Sequence, residues 1–250
     1  MGQYIFITGA SSGFGEATAR LFAEKGYPLI LMARRAERLD ALKKDLSNKV
    51  NVVTLACDVR DEGAVIDAIS GLDSEISKKI GILVNNAGLA VGKGSIDKGL
   101  TEDWDRMVDT NIKGLLYVTK AIIPLFKENR KGHIINIASI AGKEVYPGGN
   151  VYCATKHAVD ALSRAMRIDL VDYGIKVTNL APGAAETEFS LVRFKGDQQA
   201  ADKVYDGYDP LIAQDIAETI WFLCTRPTHV NINDITIMAT AQASATVLSK

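Results

Sequence analysis

Cysteine and histidine are scarce in this 250-residue chain, which contains three of each. Cys57, Cys153 and Cys224 are odd in number and far apart, so they do not suit a disulfide framework and favour reduced thiols in a cytoplasmic protein. They also lack the spacing of metal ligands, and the histidines are equally scattered. We therefore predict no metal site and expect the histidines to be structural or surface residues.

Long apolar runs are missing as well. No segment approaches the roughly 18 uninterrupted apolar residues that a membrane helix needs. The N-terminal segment has no basic region and reaches a glycine turn after a short apolar run, which indicates a strand and not a signal peptide. We therefore predict that the protein does not associate with membranes.

The chain also lacks an excess of charge. Its 29 basic and 30 acidic side chains give a formal net charge of -1, which provides no basic field for nucleic acid. At 47% hydrophobic and 24% charged residues, the composition is that of an ordinary soluble globular protein. We therefore expect a small-molecule partner and no nucleic-acid partner.

What the chain does contain is a regular alternation of short apolar runs and helical patterns. The apolar runs predict strands at residues 4–8, 29–33, 51–57, 82–84, 133–138, 176–180 and 235–238. Helical patterns follow, for example at about 37–46, 61–78 and 215–224, and no linker or repeat divides the chain. This pattern predicts an α/β fold in which residues 1–250 form one doubly wound domain, a seven-stranded parallel sheet flanked by helices.

A glycine-rich turn connects the first predicted strand to the first predicted helix. Glycines let the backbone approach a pyrophosphate, and the helix N-terminus offers free N–H groups and a positive dipole end. Glycine turns open many helices, so the position directly after the first strand carries this interpretation. The predicted dinucleotide contacts are Gly9, Ala10, Ser11, Ser12, Gly13, Phe14 and Gly15.

Arg34 and Arg35 stand where an NAD-binding chain would carry an acidic residue for the ribose 2′-hydroxyl. Two cations just before a helix N-terminus are unfavourable for the helix dipole. They are explained if an anion lies between them, and the 2′-phosphate of NADP is the natural candidate. The alternative is a solvated basic pair.

Polar and small residues follow the third and fourth predicted strands, at the sheet edge where such folds bind ligands. Asp58, beside Val59, can accept a hydrogen bond from an adenine amino group. Asn85 either ties neighbouring strand ends together or faces the ligand, while Ala87 and Gly88 leave room for a flat ring and a ribose. We expect all five residues to contact the cofactor.

Asn111 lies in the middle of the long helix that we predict to begin at Thr101. Asparagine is a poor helix-interior residue because its side chain competes for backbone partners. A buried water bound to a locally opened turn would explain its presence.

A hydroxyl, a phenol and an ammonium group follow the fifth predicted strand, at Ser139, Tyr152 and Lys156. Tyr152 and Lys156 are one helical turn apart and project from one face. A free phenol has a pKa of about 10, and a nearby ammonium group lowers it. The three residues therefore suggest a tuned proton donor beside a hydroxyl that holds a substrate oxygen, although a Tyr-x-x-x-Lys pair alone is common on protein surfaces.

The segment at about 184–210, which we call the lid segment, loses periodicity and gains charge. Loops this long in a compact domain are usually lids or binding loops. Arg193 and Lys195 are candidates for binding a substrate carboxylate, with surface solvation as the alternative for each.

These motifs together resemble the short-chain dehydrogenase/reductase family over essentially the whole chain. The matching pieces are Thr8-Gly-x-x-x-Gly13-x-Gly15, Asn85-Asn-Ala-Gly88, Asn111, Ser139, Tyr152-x-x-x-Lys156, and Pro182-Gly183 with Thr187. The resemblance implies a Rossmann-type domain and a nicotinamide-dependent oxidoreductase. It implies Asn111, Ser139, Tyr152 and Lys156 as the catalytic set, with Tyr152, Lys156, Pro182, Gly183 and Thr187 also contacting the cofactor.

Residues 85–92, 132–137, 187–197 and 229–233 resemble a narrower group, the NADP-dependent 3-hydroxy acid dehydrogenases. That resemblance implies NADP as cofactor, a homotetramer (or dimer), and short substrates such as L-serine or 3-hydroxypropionate. One departure is that the turn at 182–187 is a residue shorter than in some members. The alternatives are an NADPH-dependent reductase of another carbonyl, such as a 3-ketoacyl thioester, and a non-catalytic cofactor-sensing protein.

Overall fold

The computed structural model of the protein describes residues 2–249. Its strands are β1 (Tyr4–Thr8), β2 (Leu29–Ala33), β3 (Val52–Ala56), β4 (Ile80–Asn85), β5 (Gly132–Ile137), β6 (Ile175–Pro182), β7 (Ala185–Glu186), β8 (Leu211–Ile212) and β9 (Asp234–Ile237). Seven of them form one sheet in the order β3-β2-β1-β4-β5-β6-β9, and every pairing is parallel. The predicted doubly wound sheet of seven parallel strands is therefore confirmed.

Helices connect the strands and cover both faces of the sheet. They are α1 (Gly13–Glu24), α2 (Ala36–Leu46), α3 (Glu62–Ser70), α4 (Ser74–Ser77), α5 (Thr101–Val108), α6 (Leu115–Asn129), α7 (Asn150–Leu170), α8 (Glu188–Arg193), α9 (Gln198–Asp202) and α10 (Ala213–Cys224). Within residues 2–249, no helix combines the length and apolar character needed to cross a membrane.

Alternate residues of the central strands supply two separate cores. Ile5 and Ile7 of β1 pack in one apolar cluster with residues of α1, α2 and α10, whereas Phe6 between them packs in the other with residues of α3, α6 and α7. Successive side chains of a strand point to opposite faces, so a strand that is buried on both faces must be apolar at every position. This explains why β1 and β2 consist of unbroken buried runs.

The helix that we predicted at 61–78 is wrong as a single element, because the structure divides it into α3 and α4. Asp61 caps α3 by accepting a hydrogen bond from the N–H of Ala64 at 3.0 Å, and Gly71 ends that helix. Asp73 then caps α4 through the N–H of Glu75 at 2.7 Å. A second N-cap two residues after this glycine begins a separate helix.

We predicted an irregular loop for the lid segment, but the segment contains β7 and two short capped helices. Thr187 caps α8 and Asp197 caps α9, each through a side-chain oxygen that accepts a backbone N–H. Helices of six and five residues are too short to show a periodic apolar pattern, which is why the sequence suggested a loop. The pairing of β7 with β8 closes the segment onto the main domain.

His133 is a buried polar residue of β5, and its ring hydrogen-bonds Thr178 on the neighbouring strand β6 at 2.9 Å. The Thr178 hydroxyl donates to the carbonyl of Ile232 at 2.7 Å, so the His133 Nε2 must carry the hydrogen of this bond. Nδ1 is buried without a partner among the described residues. Burial, with a smaller contribution from the charge of Lys176, therefore lowers the pKa of His133 to about 3.

We predict that His133 makes the protein less stable in acid. Because the folded pKa lies below the unfolded value of about 6.5, the unfolded chain binds the proton first as the pH falls. Between pH 7 and pH 5 this should cost about 2 kcal/mol of unfolding free energy. The His133→Val variant should lose that part of the pH dependence in urea unfolding, since Thr178 keeps its bond to Ile232. The exposed His229→Gln variant is the matched control and should behave as wild type.

Candidate active site

A cavity of about 570 Å³ opens at the carboxyl edge of the sheet, where the strand order reverses between β1 and β4. Crevices at such switch points are the usual ligand sites of doubly wound sheets. The segments after β1, β2, β3, β4, β5 and β6 all contribute to its wall, and the lid segment covers it. The cavity therefore brings together most of the residues predicted from the sequence.

The glycine turn lies at one end of this cavity. Gly9 and Gly13 have φ angles of +65° and +52°, a conformation that glycine adopts without strain. The cavity is lined here by Gly9, Ser11, Ser12, Gly13 and Phe14.

Two predicted members of the turn, Ala10 and Gly15, do not line the cavity. Ala10 is fully buried in the core beneath the turn. A Cβ on Gly15 would collide with the carbonyl oxygen of Gly9, so Gly15 allows the helix to pack against the turn. Ala10 and Gly15 therefore support the structure of the turn. The spacing of the motif could not distinguish such structural residues from residues that contact a ligand.

Of the two asparagines at the end of β4, Asn85, one of the predicted cofactor contacts, does not line the cavity and ties neighbouring elements together, which was the alternative for this residue. Its Nδ2 donates to Thr119 at 2.8 Å and to Asn136 at 2.9 Å, which ties β4 to α6 and β5. Asn86 instead lines the cavity, and its Nδ2 donates to the carbonyl oxygens of Thr8 and Gly9 at 2.9 and 3.2 Å. The pair of asparagines in the sequence was the signal for a polar contact with the cavity. Successive side chains point to opposite sides of a strand, so the pair by itself did not show which asparagine lines the cavity.

Arg34 and Arg35 both line the cavity beside the glycine turn. The Arg35 guanidinium donates from Nε to the Ser11 hydroxyl at 3.2 Å and from Nη2 to the Ser12 hydroxyl at 2.8 Å. Sequence reasoning missed Arg38, which lies in the first turn of α2 and joins this cluster through a shared carboxylate of the lid segment. The available signal was a third arginine only four positions after Arg34, at the start of the predicted helix.

Asp58 and Val59 line the cavity at the end of β3, as expected, and Ala87 and Gly88 do so after β4. The Asp58 carboxylate is held by Arg60, whose Nη2 donates at 2.6 Å and whose backbone N–H donates at 3.1 Å. These bonds fix the direction of the carboxylate while leaving further lone pairs for an adenine amino group.

Ser139, Tyr152 and Lys156 meet at the other end of the cavity. Tyr152 and Lys156 are 8% and 6% exposed, and the Lys156 Nζ lies 5.9 Å from the centre of the Tyr152 ring. The Lys156 Nζ donates to the carbonyl oxygen of Ile137 at 2.8 Å. Burial lowers the pKa of Lys156 to about 8, so the ammonium form still prevails at neutral pH.

We expected the nearby Lys156 ammonium group to lower the pKa of Tyr152, but the protein's own groups leave that pKa raised. Burial raises the pKa of Tyr152 above its ordinary value, and the nearby phenol of Tyr146 adds to this effect. The Ser139 hydroxyl and the Arg193 guanidinium oppose it. Tyr152 is therefore a neutral phenol, ready to donate a proton.

Asn111 lies in a π-helical segment, Asp109–Gly114, between α5 and α6, where we expected a locally opened turn. Its Oδ1 accepts from the N–H of Leu89 at 2.8 Å, and its Nδ2 donates to the Leu89 carbonyl at 2.8 Å and to Thr155 at 3.0 Å. Asn111 does not line the cavity but lies behind Gly88. Since both amide hydrogens have protein partners, the water that we predicted can bind only at Oδ1 or at a main-chain carbonyl.

The lid segment brings Arg193 to the site. Its Nη1 donates to the Tyr146 hydroxyl at 2.9 Å, and its guanidinium carbon lies 5.7 Å from the centre of the Tyr152 ring. Its Nε is buried and has no partner among the described residues. Tyr146, which sequence reasoning missed, thus shares with Arg193 the wall beside Tyr152.

Lys195 does not reach this cavity, in contrast to the prediction that it contacts substrate. The backbone at Lys195 has a φ of +55°, so the chain reverses direction just after α8. The side chain forms an ion pair with Asp103 of α5 at 2.7 Å. The predicted cofactor residues Pro182, Gly183 and Thr187, in contrast, all line the cavity.

A phosphate-binding turn, an arginine cluster and a serine–tyrosine–lysine set in one crevice define a dinucleotide-dependent oxidoreductase. The family model described as short chain dehydrogenase matches residues 3–197. The chain belongs to the short-chain dehydrogenase family.

Individual relatives match over nearly the whole chain. It is 46% identical over 242 residues to the NADP-dependent 3-hydroxy acid dehydrogenase YdfG of Salmonella typhi, with 96% of each protein covered. It is 48% identical over 244 residues to sulfoacetaldehyde reductase 2 of Chromohalobacter salexigens, which covers 97% of this chain and 96% of that one. The solved closed form of serine dehydrogenase complexed with NADP+ superposes with a TM-score of 0.93 at 43% identity and 99% coverage of both chains.

We predict that Gly15→Ala damages the glycine turn. The new methyl group must push the Gly9 carbonyl away, and such overpacking costs about 1–3 kcal/mol. In a fluorescence titration, the variant should bind reduced nicotinamide dinucleotides about tenfold more weakly. Gly94→Ala is the matched control, because a Cβ there meets nothing within 4 Å. Equal binding by the two variants would contradict the role given to Gly15.

Proposed function

We propose that this protein catalyses the reversible, NADP-dependent oxidation of a short hydroxy acid to its semialdehyde, with L-serine, 3-hydroxypropionate or a similar compound as substrate. The observation that carries this proposal is the placement of Arg193, whose buried and unpartnered Nε adjoins the Ser139–Tyr152 end of the cavity. A buried guanidinium nitrogen without an acceptor is costly, and a substrate acid group would satisfy it.

The residues of the cavity fit an NADP molecule. The glycine turn offers a concave backbone surface at the N-terminus of α1 for the pyrophosphate, and Arg34 and Arg35 lie beside it for the 2′-phosphate. A Cβ on Gly88 would lie 3.3 Å from the Asn111 Oδ1 and 3.4 Å from the Lys156 Nζ, so glycine keeps this wall flat. Bound NADP would supply or accept the hydride, which is the chemistry that no side chain can provide.

Tyr152 exchanges the proton of the reacting oxygen in this proposal. As a neutral phenol it donates the proton during reduction and takes it back during oxidation. Ser139 follows the end of β5 by two residues, and its hydroxyl, which accepts the N–H of Ala141 at 3.1 Å, is placed to hold the same oxygen. Ser139 and Arg193 both oppose the rise that burial causes in the pKa of Tyr152, so their proximity favours the phenolate form.

Lys156 and Asn111 support this proton transfer from behind. Lys156 is fixed by the Ile137 carbonyl, and its pKa of about 8 lets it exchange a proton near neutral pH. Asn111 holds the Leu89 backbone and the Thr155 hydroxyl, one residue from Lys156. We propose that Asn111 also holds the water through which Lys156 recovers its proton.

Sulfonates are a second class of substrate that the site favours. A guanidinium with a neighbouring phenol binds a carboxylate or a sulfonate by the same charge-assisted hydrogen bonds. The similarity to a sulfoacetaldehyde reductase agrees with this chemistry. We therefore include 2-hydroxyethanesulfonate beside the carboxylic hydroxy acids.

The proposal extends to assembly and location. We propose a homotetramer, or a dimer, that works in the cytoplasm. Ile168 and Val171 are 76% and 65% exposed near the end of α7, and burial against a second subunit would remove this apolar surface from water.

We predict that Tyr152→Phe abolishes turnover while NADPH still binds. Loss of general acid–base catalysis should lower kcat by about 10²–10⁴-fold, measured by NADPH absorbance, and the dissociation constant for NADPH should stay within about twofold of wild type. Tyr117→Phe on α6, outside the cavity, is the matched control. Substantial turnover by Tyr152→Phe would disprove the catalytic assignment.

We predict that Arg193→Ala raises KM for acid substrates by about 10- to 100-fold, since hydrogen bonds to charged groups contribute about 1.5–3 kcal/mol. The panel contains 3-hydroxypropionate, L-serine, 2-hydroxyethanesulfonate and an uncharged secondary alcohol, each assayed with NADP+ and NAD+. It also contains a 3-ketoacyl thioester, assayed in the reductive direction with NADPH and NADH. Lys195→Ala, whose side chain lies outside the cavity, should change these KM values by less than about twofold. A preference for the ketoacyl thioester, or equal KM values for Arg193→Ala and wild type, would reject the hydroxy acid assignment.

A further inference from the structure

Glu188, in the first turn of α8, places its carboxylate between two arginines of the opposite wall. Its Oε2 lies 3.1 Å from Nη1 of Arg35, and its Oε1 lies 2.7 Å from Nη1 of Arg38. Burial alone would raise the pKa of Glu188, but hydrogen bonds and charges from Arg38 and Arg35 hold it below its usual range. An ionised carboxylate of the lid segment thus occupies the arginine cluster.

One of these two arginines, Arg35, is also one of the pair to which we assigned the 2′-phosphate, and Arg38 lies beside it in the same cluster. Arg35 also bonds Ser11 and Ser12 of the glycine turn, so its guanidinium is oriented for an anion at this end of the cavity. A carboxylate presents two oxygens to two guanidinium groups in the way that a phosphate does. The Glu188 carboxylate and a 2′-phosphate therefore require the same donors, and their like charges repel each other at that distance.

The six residues of α8 reach from this cluster to the catalytic end. Phe189, next to Glu188, packs on Tyr152 with 5.6 Å between the ring centres. Arg193, the last residue of α8, adjoins Tyr146 and Tyr152. A change in the partners of Glu188 thus acts on the element that completes the substrate site.

We propose that Glu188 competes with the 2′-phosphate of NADP for Arg35 and Arg38, and so limits the preference of the protein for NADP over NAD. This inference rests on the NADP dependence proposed above. NADP must displace the carboxylate from the two arginines, which opposes its binding. NAD has no 2′-phosphate, so it binds while Glu188 keeps both ion pairs. Specificity is the difference between the affinities for NADP and for NAD, and Glu188 reduces the affinity for NADP.

The test measures binding of 2′,5′-ADP and of 5′-ADP by calorimetry, with wild-type protein, Glu188→Gln and Glu186→Gln. Glutamine has the same shape as glutamate but does not repel a phosphate. Because exposed ion pairs are individually weak, we expect Glu188→Gln to bind 2′,5′-ADP about three- to tenfold more tightly than wild type. Its affinity for 5′-ADP should change by less than about twofold. Glu186→Gln removes a charge from the same segment outside the cavity, and both its affinities should match wild type.

Four outcomes would overturn the inference. If Glu188→Gln bound 2′,5′-ADP and 5′-ADP more tightly by the same factor, the substitution would have only a general charge effect. Weaker binding of both ligands by Glu188→Gln would mean that Glu188 only fastens the lid segment, and unchanged affinities would mean that it has no influence. If wild-type protein binds 5′-ADP but not 2′,5′-ADP, the NADP dependence itself fails, and the inference with it.

Discussion

The rest of this structure depends on hydrogen bonds between the ends of β1 and β4, which fix the geometry of the crevice. The Thr8 hydroxyl accepts the N–H groups of Asn86 and Ala87 at 3.0 and 2.9 Å, while the Asn86 side chain donates to the carbonyls of Thr8 and Gly9. The strands separate here because their connections leave toward opposite faces of the sheet. Without these bonds, the glycine turn and the catalytic helix α7 would have no fixed spacing across the cavity.

Burial sets the chemistry of the catalytic end. It disfavours charge on both Lys156 and Tyr152, lowering the first pKa and raising the second. Arg193 of the lid segment supplies the positive charge that opposes the rise in the pKa of Tyr152. Arg193 lies in α8, so the position of this short helix affects the pKa of Tyr152.

Much of the site could be predicted because its signals are local. The glycine spacing, the basic pair after β2 and the tyrosine–lysine interval each lie within one short segment, and the structure brings them into one cavity. The errors have a common cause. Asn85 and Asn86 are adjacent and chemically identical, and only the packing of α6 and β5 decides that Asn85 is turned away from the cavity. Short helices in the lid segment left no periodic pattern to detect.

The order of elements, the doubly wound class and the residues able to do the chemistry could be inferred from the sequence, because strand burial and helical periodicity depend on neighbouring positions. The folded structure was needed to show that Arg193 and not Lys195 enters the cavity, and that Tyr146 lies beside it. It alone revealed the pairing of Arg35 with Glu188, 153 residues away. Such contacts depend on how segments that are distant in the sequence pack together, and a local sequence pattern contains no information about that packing.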